Sequence, residues 1–346
     1  MLIVCIVYNF NLYAQNIPPV TINVERTGTL SNLIPESKKY KITNLTLTGR
    51  INGKDILFIR EMAGSDYDGK PTEGSLSVLD LSRVKIVGEG SYYHNKETYN
   101  DEIGGYMFVN CTNLCTVILP ENIKYIGSQS FGSCNISSFT TIPNGIKKIA
   151  ADAFYHCPDF KGYIISDENP YYSSLDGVLF NKDKTTIVSY PNMKSKTYVI
   201  PNGTVTIEPY AFYGCDSLTS VIIPNSVTSI HSGSFLECKS LSSIAIPNSV
   251  EYIKYNAFQG CSSLASVVIP EKVKFIDGNC FKNCTNLKSV TIPNSIDSYE
   301  RANVSICNIS GQEVYRETIE GNIQVSLSTG IYVVKVGNKM IKAFVE

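Results

Sequence analysis

The sequence repeats itself every 23 residues, and this period constrains the fold more than any other feature of the chain. A proline, a phenylalanine, and a cysteine three residues after each phenylalanine recur in fixed columns. The proline column comprises Pro120, Pro143, Pro201, Pro224, Pro247, Pro270 and Pro293. The phenylalanine column comprises Phe108, Phe131, Phe154, Phe212, Phe235, Phe258 and Phe281. The cysteine column comprises Cys111, Cys134, Cys157, Cys215, Cys238, Cys261 and Cys284. Because a fixed period of this length is the signature of a repeat architecture, we predict a stack of similar units.

The apolar residues within one unit alternate just before the proline, as in Leu241-x-x-Ile244-x-Ile246-Pro247. This alternation indicates a strand with one buried face, and proline ends the strand because it has no amide hydrogen. We predict one strand in each coil, paired in parallel with the equivalent strand of the next coil, about 4.8 Å away. The predicted fold class is therefore mainly β: a solenoid with a parallel sheet, whose seven phenylalanine-bearing coils extend over roughly 34 Å.

These units resemble the BspA-like leucine-rich repeat family, whose repeats follow F-x-x-C-x-x-L-x-x-V-x-I-P-x-x-V-x-x-I. The resemblance covers residues 106–296, and we predict the leucine-rich repeat solenoid over 106–298. The preceding apolar segments look like the N-terminal capping region of bacterial members, so residues 15–105 are predicted to form a cap. A cap is also required physically, because an open solenoid end would expose its core and an unpaired strand edge.

Two irregularities interrupt the repeat. In the coil after Phe131 the apolar residues shift to Ile136, Phe139 and Ile142, which we interpret as a β-bulge at Thr140-Thr141. Between Phe154 and Phe212 the spacing is 58 residues, 35 more than one repeat. Two strand-like runs, 175–180 and 186–189, flank a polar turn there, so we predict a projecting β-hairpin insertion at about 166–197. The insertion is either a structural flap packed on the solenoid or an element that contacts a partner.

The cysteine column is predicted to lie inside the solenoid as buried thiols, because cysteine behaves as a small apolar residue when it is buried. Disulfides are the alternative, but the Cα–Cβ vectors of equivalent residues are parallel and fit disulfide geometry poorly. A metal cluster is disfavoured because no histidine accompanies the cysteines at a suitable spacing. The predicted structural repeat residues are Phe212, Cys215, Phe235, Cys238, Phe258, Cys261, Phe281 and Cys284.

Neither composition nor motifs favour an enzyme or a nucleic-acid binder. The 346 residues carry 30 basic and 31 acidic side chains, which excludes a strongly basic nucleic-acid surface. The chain has three histidines, His94, His156 and His231, and we expect solvated or locally hydrogen-bonded roles for the two within repeats, His156 and His231. The chain contains no phosphate-binding loop, nucleophile elbow or metal-helix motif. We therefore predict no catalytic residue, no cofactor and no metal.

The residues on either side of each inward strand position are predicted to face outward, because side chains alternate along a strand. This exposed face is weakly polar and uncharged, and it is either a partner-binding surface or a ladder whose residues serve only in-register stacking. Its residues in the best-defined coils are Ser220, Ile222, Ser243, Ala245, Ser266, Val268, Ser289 and Thr291, with Thr116 and Ile118 nearer the cap. Tyr171 and Tyr172 on the insertion are further candidate contact residues, since tyrosine suits protein or glycan contact.

The two ends of the chain carry targeting features. Residues 1–14 are predicted to be a secretory signal peptide, with an apolar run followed by the small residue Ala14; a disordered or buried N-terminal strand is the alternative. No apolar run reaches the roughly 20 residues that a transmembrane helix needs. Five strand-like runs follow the repeats in residues 299–346: 304–306, 313–315, 324–327, 331–336 and 342–345.

Residues 308–315 and 327–336 of this tail resemble the C-terminal sorting domain of the type IX (Por) secretion system of Bacteroidetes. The resemblance implies handling by the type IX secretion machinery and delivery to the outer-membrane surface or the extracellular space. A structural C-terminal cap for the solenoid is the alternative. From both resemblances we expect a secreted or cell-surface binding protein that recognises an unidentified protein or glycan, because relatives include adhesins. The alternative function is a non-catalytic spacer of the cell envelope.

Overall fold

A computed structural model describes residues 19–137, 139–192, 194–291, 302–308, 313–319, 330–336 and 339–345 of the chain. Up to residue 291 the described chain is a parallel β-solenoid of about 11 turns, and a small antiparallel sheet follows it, which confirms the predicted fold class. The signal-peptide prediction for residues 1–14 lies outside the described residues. The predicted boundaries at 105, 298 and 299 stay predictions.

The solenoid begins with a cap of mixed structure. Its elements are β1 (Val20–Val24), α1 (Leu30–Leu33), α2 (Glu36–Lys39), β2 (Asn44–Ile51), α3 (Gly53–Met62) and β3 (Val78–Ile86). Asn52 and Asp55 form a capping box at the start of α3. The Asp55 carboxylate also accepts hydrogen bonds from the backbone amides of Gly28 (2.6 Å) and Leu30 (3.0 Å), which joins α3 to the segment before α1.

Arg60 of α3 fastens the cap to the first coil. Its side chain is fully buried, and its Nη1 donates to the carbonyl oxygens of Met107 and Val109, both at 3.1 Å. Its Nη2 donates to the Ser65 hydroxyl and the Asp66 carbonyl, each at 3.0 Å. The planar guanidinium thus satisfies the carbonyl groups of a loop that would otherwise be buried without donors.

The strands at the proline position of each repeat form one flank of the solenoid, as predicted, and in one coil Ser166 stands in place of the proline. They are β5 (Thr116–Ile118), β7 (Phe139–Ile142), β9 (Gly162–Ile165), β13 (Thr197–Val199), β15 (Ser220–Ile222), β17 (Ser243–Ala245), β19 (Ser266–Val268) and β21 (Ser289–Thr291). Pairing is parallel throughout, and it joins the cap to the coils in the order β1-β2-β3-β5. Further pairs are β7-β9, β13-β15-β17 and β19-β21. The residue between the two outward positions is buried, as Val221 (1% exposed) and Val267 (2% exposed) illustrate.

A second flank was not predicted, so the expectation of one strand per coil was wrong. Its two-residue strands are β4 (Glu102–Ile103), which precedes the first repeat proline, and then, each after a repeat proline, β6 (Tyr125–Ile126), β8 (Lys148–Ile149), β14 (Thr206–Ile207), β16 (Ser229–Ile230), β18 (Tyr252–Ile253) and β20 (Phe275–Ile276). These strands pair in parallel as β4-β6-β8 and β14-β16-β18-β20. Each strand places one isoleucine of the repeat in the core, so the second flank also contributes to the core.

The phenylalanines stack in file through the core, as predicted. Ring centroids are 4.9 Å apart between Phe212 and Phe235, 5.4 Å between Phe235 and Phe258, and 5.6 Å between Phe258 and Phe281. The first coils show the same stacking, at 5.5 Å for Phe108 and Phe131 and 5.0 Å for Phe131 and Phe154.

The insertion contains the predicted hairpin, but it does not project. It forms β10 (Tyr172–Leu175), β11 (Val178–Asn181) and β12 (Thr186–Ser189), an antiparallel meander whose last strand pairs in parallel with β14. The run 175–180 is split by a turn at Asp176-Gly177, where both residues have positive φ. Val178, Phe180 and Ile187 are fully buried, so the meander forms part of the second flank and its core.

The predicted β-bulge at Thr140-Thr141 was wrong. β7 pairs with β9 without a register shift, from Phe139 opposite Gly162 to Ile142 opposite Ile165. Thr140 is 5% exposed and occupies the inward position that Val221 fills in a regular coil. A threonine therefore replaces the usual aliphatic residue, which hid the regular alternation in the sequence.

The tail forms a four-stranded antiparallel sheet of β22 (Ala302–Asn308), β23 (Glu313–Ile319), β24 (Gly330–Val336) and β25 (Lys339–Val345). The strand order is β23-β22-β24-β25. Four of the five predicted runs coincide with these strands. The run 324–327 lies outside the described residues.

Candidate functional site

The strands of the first flank align the predicted outward residues in two parallel columns. Ser220 pairs with Ser243 and Ile222 with Ala245, and the next pair of strands places Ser266 opposite Ser289 and Val268 opposite Thr291. The inward residues Val221, Ile244 and Val267 are buried. The structure therefore brings the predicted residues together along the first flank, in two successive sheets, β13-β15-β17 and β19-β21.

One column consists of exposed aliphatic side chains. Ile222 is 55% exposed and Val268 is 65% exposed, and Ala245 between them is also exposed. The adjacent column is polar: Ser243 and Ser266 are exposed and Ser220 is half-buried. The side chains of Ser289 and Thr291 lie outside the described part of the structure.

The sequence analysis did not include the outward residues of the strand before Pro201, which extends both columns toward the insertion. β13 pairs with β15, which places Thr197 beside Ser220 and Val199 beside Ile222. Val199 is 64% exposed and Thr197 is exposed. The signal was present, because Val199 lies two residues before Pro201, as Ile222 lies before Pro224. We call Val199, Ile222, Ala245 and Val268 the outer aliphatic column.

The candidate residues of this face are either aliphatic or carry a hydroxyl group. Contiguous exposed apolar side chains are typical of an interaction surface, whereas apolar residues exposed singly are common on any protein. The hydroxyl groups beside them offer hydrogen bonds with little desolvation cost. Nearer the cap, Ile118 and Ile164 occupy the same repeat position and are 45% and 48% exposed.

The two candidate tyrosines of the insertion differ. Tyr171 is 46% exposed and remains a candidate contact residue. Tyr172 is only 9% exposed; its hydroxyl accepts a hydrogen bond from the Ile149 amide (3.2 Å) and donates to the Lys147 carbonyl (3.3 Å). Its prediction as a contact residue was wrong, because its side chain joins the meander to β8.

The cysteine column has a regular structural role. The Sγ atoms of Cys134, Cys238 and Cys261 each donate to the carbonyl of a phenylalanine 26 residues earlier, at 3.0–3.1 Å. Cys157 and Cys284 make the same bond, both at 3.0 Å, to Phe131 and Phe258. Burial raises the pKa of the Cys111 and Cys157 thiols to about 12. A thiol that stays protonated is a poor nucleophile and a poor metal ligand.

The histidines are dispersed over the molecule. His94 Nδ1 lies 2.7 Å from the Tyr67 carbonyl oxygen, and His156 Nδ1 lies 3.9 Å from the Asp216 carboxylate. Within the described residues, no group of three histidine, cysteine, aspartate or glutamate side chains is arranged to hold a metal ion. The described helices also include none with the length and apolar character needed to cross a bilayer.

Comparison with known proteins identifies the family to which the repeat belongs. The family described as the BspA type leucine rich repeat region matches residues 94–197 and 184–310, in six copies. The chain belongs to the BspA type leucine-rich repeat family. The secretion system C-terminal sorting domain matches residues 286–345. The sorting domain marks this leucine-rich repeat protein for the outer-membrane surface or the extracellular space.

Solved structures share the fold. The crystal structure of the pneumococcal vaccine antigen PcpA is 22% identical, with a TM-score of 0.56 over 74% of this chain and 57% of PcpA, so the chain spans little more than half of that antigen. A leucine rich cell surface protein from Faecalibacterium prausnitzii is 24% identical, with a TM-score of 0.56 over 80% of this chain and 73% of its own. A leucine-rich repeat protein from Eubacterium ventriosum is 20% identical, with a TM-score of 0.52 over 75% of this chain and 74% of its own. No curated protein matches the chain.

Proposed function

We propose that this leucine-rich repeat protein is an adhesion or recognition protein, displayed at the cell surface by the type IX secretion machinery, that binds a protein partner through its first flank. The observation that carries the proposal is the outer aliphatic column, whose members Val199, Ile222 and Val268 are each more than half exposed. An apolar centre without charge is the composition of the buried part of protein–protein interfaces.

The proposed role is non-catalytic. What supports this is the burial of the column thiols, since Cys111, Cys157 and Cys238 are fully buried and out of reach of a substrate. The PcpA and Faecalibacterium structures are described as a vaccine antigen and a cell surface protein. A display role is consistent with both descriptions.

The test measures binding of the purified full chain to intact epithelial cells and intact bacterial cells. The double variant Ile222→Asp, Val268→Asp places two charges at the centre of the face, so we expect saturable binding to weaken by at least about tenfold. Val205→Asp is the matched control, because Val205 is 48% exposed but lies outside the first flank. Equal binding by both variants and the parent chain would contradict the proposal.

The alternative function is a spacer in the cell envelope. The in-register columns also fit this role, since identical neighbours pack well along a sheet. A spacer should show no saturable partner, and the double variant should then behave as the parent chain in every binding assay.

A further inference from the structure

The core of the solenoid divides where the insertion enters. One cluster of buried side chains runs from the cap to Val188, and a second runs from Val178 to Leu287. Phe154 belongs to the first cluster and Phe212 to the second. We call this junction the seam. A covalent bond across the seam would join the two halves of the core.

Two tyrosines meet at the seam. Tyr155 directly follows Phe154 and Tyr213 directly follows Phe212, so both occupy the same repeat position, one on each side of the insertion. The other phenylalanine-bearing coils have no tyrosine at this position; their residues are Val109, Gly132, Leu236, Gln259 and Lys282. The tyrosine pair is thus specific to the seam.

The two rings are aligned with each other. Their centroids are 4.0 Å apart and their planes differ by 16°. Burial and a hydrogen bond to the Tyr213 hydroxyl raise the pKa of Tyr155. Burial raises the pKa of Tyr213 as well, whereas the same hydrogen bond lowers it, as expected for the acceptor. Because the rings are nearly parallel and their hydroxyl groups are bonded to each other, the Cε atoms next to the hydroxyl groups lie close together.

The pair is accessible from solvent. Tyr155 and Tyr213 are both half-buried, and both line a cleft at the seam. The enclosed part of this cleft is about the size of one water molecule, and the remainder is open to solvent. Since the pKa of both phenols is raised, each holds its proton at neutral pH and loses it only together with an electron. Water in the cleft can carry these protons away.

The other tyrosine pairs of the described chain are aligned less well. Tyr190 and Tyr198 are 4.7 Å apart, but their planes differ by 54° and Tyr190 is only 2% exposed. Tyr210 and Tyr213 are 5.9 Å apart with planes that differ by 59°. Within the described residues, the pair at the seam therefore has the geometry best suited to bond formation between two phenol rings.

We propose that Tyr155 and Tyr213 are a site of oxidative cross-linking, which a peroxidase acting with hydrogen peroxide converts to dityrosine. Each phenol gives up one electron and one proton and becomes a phenoxyl radical. The two radicals form a carbon–carbon bond between one Cε atom of each ring. The hydrogens of these two carbons leave as protons and the two oxygens take up protons, which restores both phenols. One molecule of hydrogen peroxide takes up the two electrons and two protons and becomes two molecules of water.

The cross-link would hold the two halves of the solenoid together around the insertion. Like a disulfide, it would restrict the unfolded chain and so stabilise the folded one. The sorting domain directs the chain to the cell surface or the extracellular space, which is more oxidising than the cytoplasm. The site is separate from the outer aliphatic column and does not depend on the protein partner proposed above.

The test oxidises the dilute, purified full chain in two ways. One sample receives a haem peroxidase and hydrogen peroxide, and the other receives persulfate and a photo-excited ruthenium complex, a small one-electron oxidant. We expect dityrosine fluorescence, a monomeric chain lighter by two hydrogen atoms, and a cross-linked peptide that joins Tyr155 to Tyr213. The melting temperature of the oxidised chain should rise by several degrees. The chain unfolded in urea should show no preference for this pair in the ruthenium reaction.

Tyr155→Phe keeps the stacked ring but removes one phenol, so we expect it to lose both the seam cross-link and the rise in melting temperature. Tyr213→Phe serves the same purpose if Tyr155→Phe does not fold. Tyr210→Phe is the matched control, because Tyr210 also neighbours Tyr213 and is 41% exposed; it should cross-link like the parent.

The variant Ile222→Asp, Val268→Asp should also cross-link like the parent, which separates this proposal from the first. Three results would overturn the proposal: no peptide joining Tyr155 to Tyr213 with either oxidant, cross-links mainly between other tyrosines or between chains, or the same preference for this pair in the unfolded chain.

Discussion

The cysteine column shows most clearly how one repeated residue stabilises the solenoid. A buried Sγ atom donates to a main-chain carbonyl of the preceding coil, as Cys238 does to Phe212 at 3.0 Å. The Phe212 carbonyl also accepts a hydrogen bond from the Cys215 amide at 3.3 Å, so the thiol supplies a second donor to an oxygen that can accept two. Cysteine suits the position because it combines a small apolar side chain with a weak hydrogen-bond donor.

These thiols should make the protein sensitive to alkaline pH. Burial raises the pKa of Cys111 and Cys157 from near 9 to about 12, so the native state holds their protons at pH values where the unfolded state has lost them. The stabilising contribution is complete below about pH 9 and is lost as the pH rises toward 12, by up to about 1.4 kcal/mol per pH unit for each thiol. Urea unfolding under reducing conditions at several pH values between 8 and 11 measures this decline.

The control for this prediction is the double variant Cys111→Ala, Cys157→Ala. Burial also raises the pKa of tyrosines such as Tyr163, so the parent and the variant should both lose stability at alkaline pH. The decline should be shallower in the variant, because two proton-binding groups are missing. Parallel curves for the two proteins would contradict the assignment.

Position 214 requires glycine for two reasons: its backbone conformation and its close contact with the Tyr155 ring. Gly214 and Gly90 both have φ of +66°, but nothing lies within 4 Å of a Cβ atom built at Gly90, whereas one at Gly214 meets the Tyr155 ring at 2.6 Å. Gly90→Ala should therefore cost about 1 kcal/mol of stability through the backbone alone. Gly214→Ala should cost about 1–3 kcal/mol more, because the tyrosine must move. Urea denaturation of both variants gives the difference, and equal losses would show that the ring moves aside freely.

At the scale of the element, the strands predicted correctly are those whose apolar residues alternate along the sequence. β15, β17 and β19 were predicted because each carries an inward aliphatic residue between two outward ones, followed by proline. The two-residue strands β16 and β18 were missed because each places a single isoleucine in the core, which leaves no alternation to detect. The place of Tyr190 in the aromatic stack was missed because the insertion shifts the repeat by one residue, so that Tyr190 rather than Ser189 stacks on Phe212. Only packing reveals that shift.

The meander built from β10, β11 and β12 should be indispensable for folding. Deleting residues 166–197 removes the buried Val178, Phe180 and Ile187 and the strand that pairs with β14. The core of the next coils would then face water, so we expect the deletion variant to aggregate or to lose its cooperative thermal transition. Circular dichroism melting and size-exclusion chromatography measure both outcomes.

Tyr171→Ala is the matched control within the same segment, since Tyr171 is 46% exposed. Its melting temperature should stay within about 2 °C of the parent, because exposed substitutions cost little. A deletion variant that melts cooperatively at the parent's temperature would show that the meander is a dispensable flap. A spacer should keep its function without residues 166–197, but the deletion tests this only if the shortened chain still folds.

At the scale of the whole molecule, stacking and export have separate determinants. Each coil buries its apolar side only against its neighbours, so the solenoid depends on both of its ends being covered. The cap covers the first end through β3 and Arg60. The sorting domain match at residues 286–345 begins within the last coil, and the described strands of the tail form an antiparallel sheet of their own.

Export should therefore fail when the tail is removed while the solenoid survives. In a bacterium with a type IX secretion system, we expect the full chain at the cell surface or in the medium, and a chain ending at Ser298 in the periplasm. Cell fractionation and protease treatment of intact cells measure the location. Resistance of the periplasmic chain to protease after lysis would establish that it is folded, so that loss of export is not a consequence of misfolding.

The full-length Ile222→Asp, Val268→Asp variant should be exported like the parent, because its changes lie on the binding face and leave the tail intact. If the shortened chain reached the surface, or if both chains stayed in the periplasm, the tail would be a cap for the solenoid and not its address.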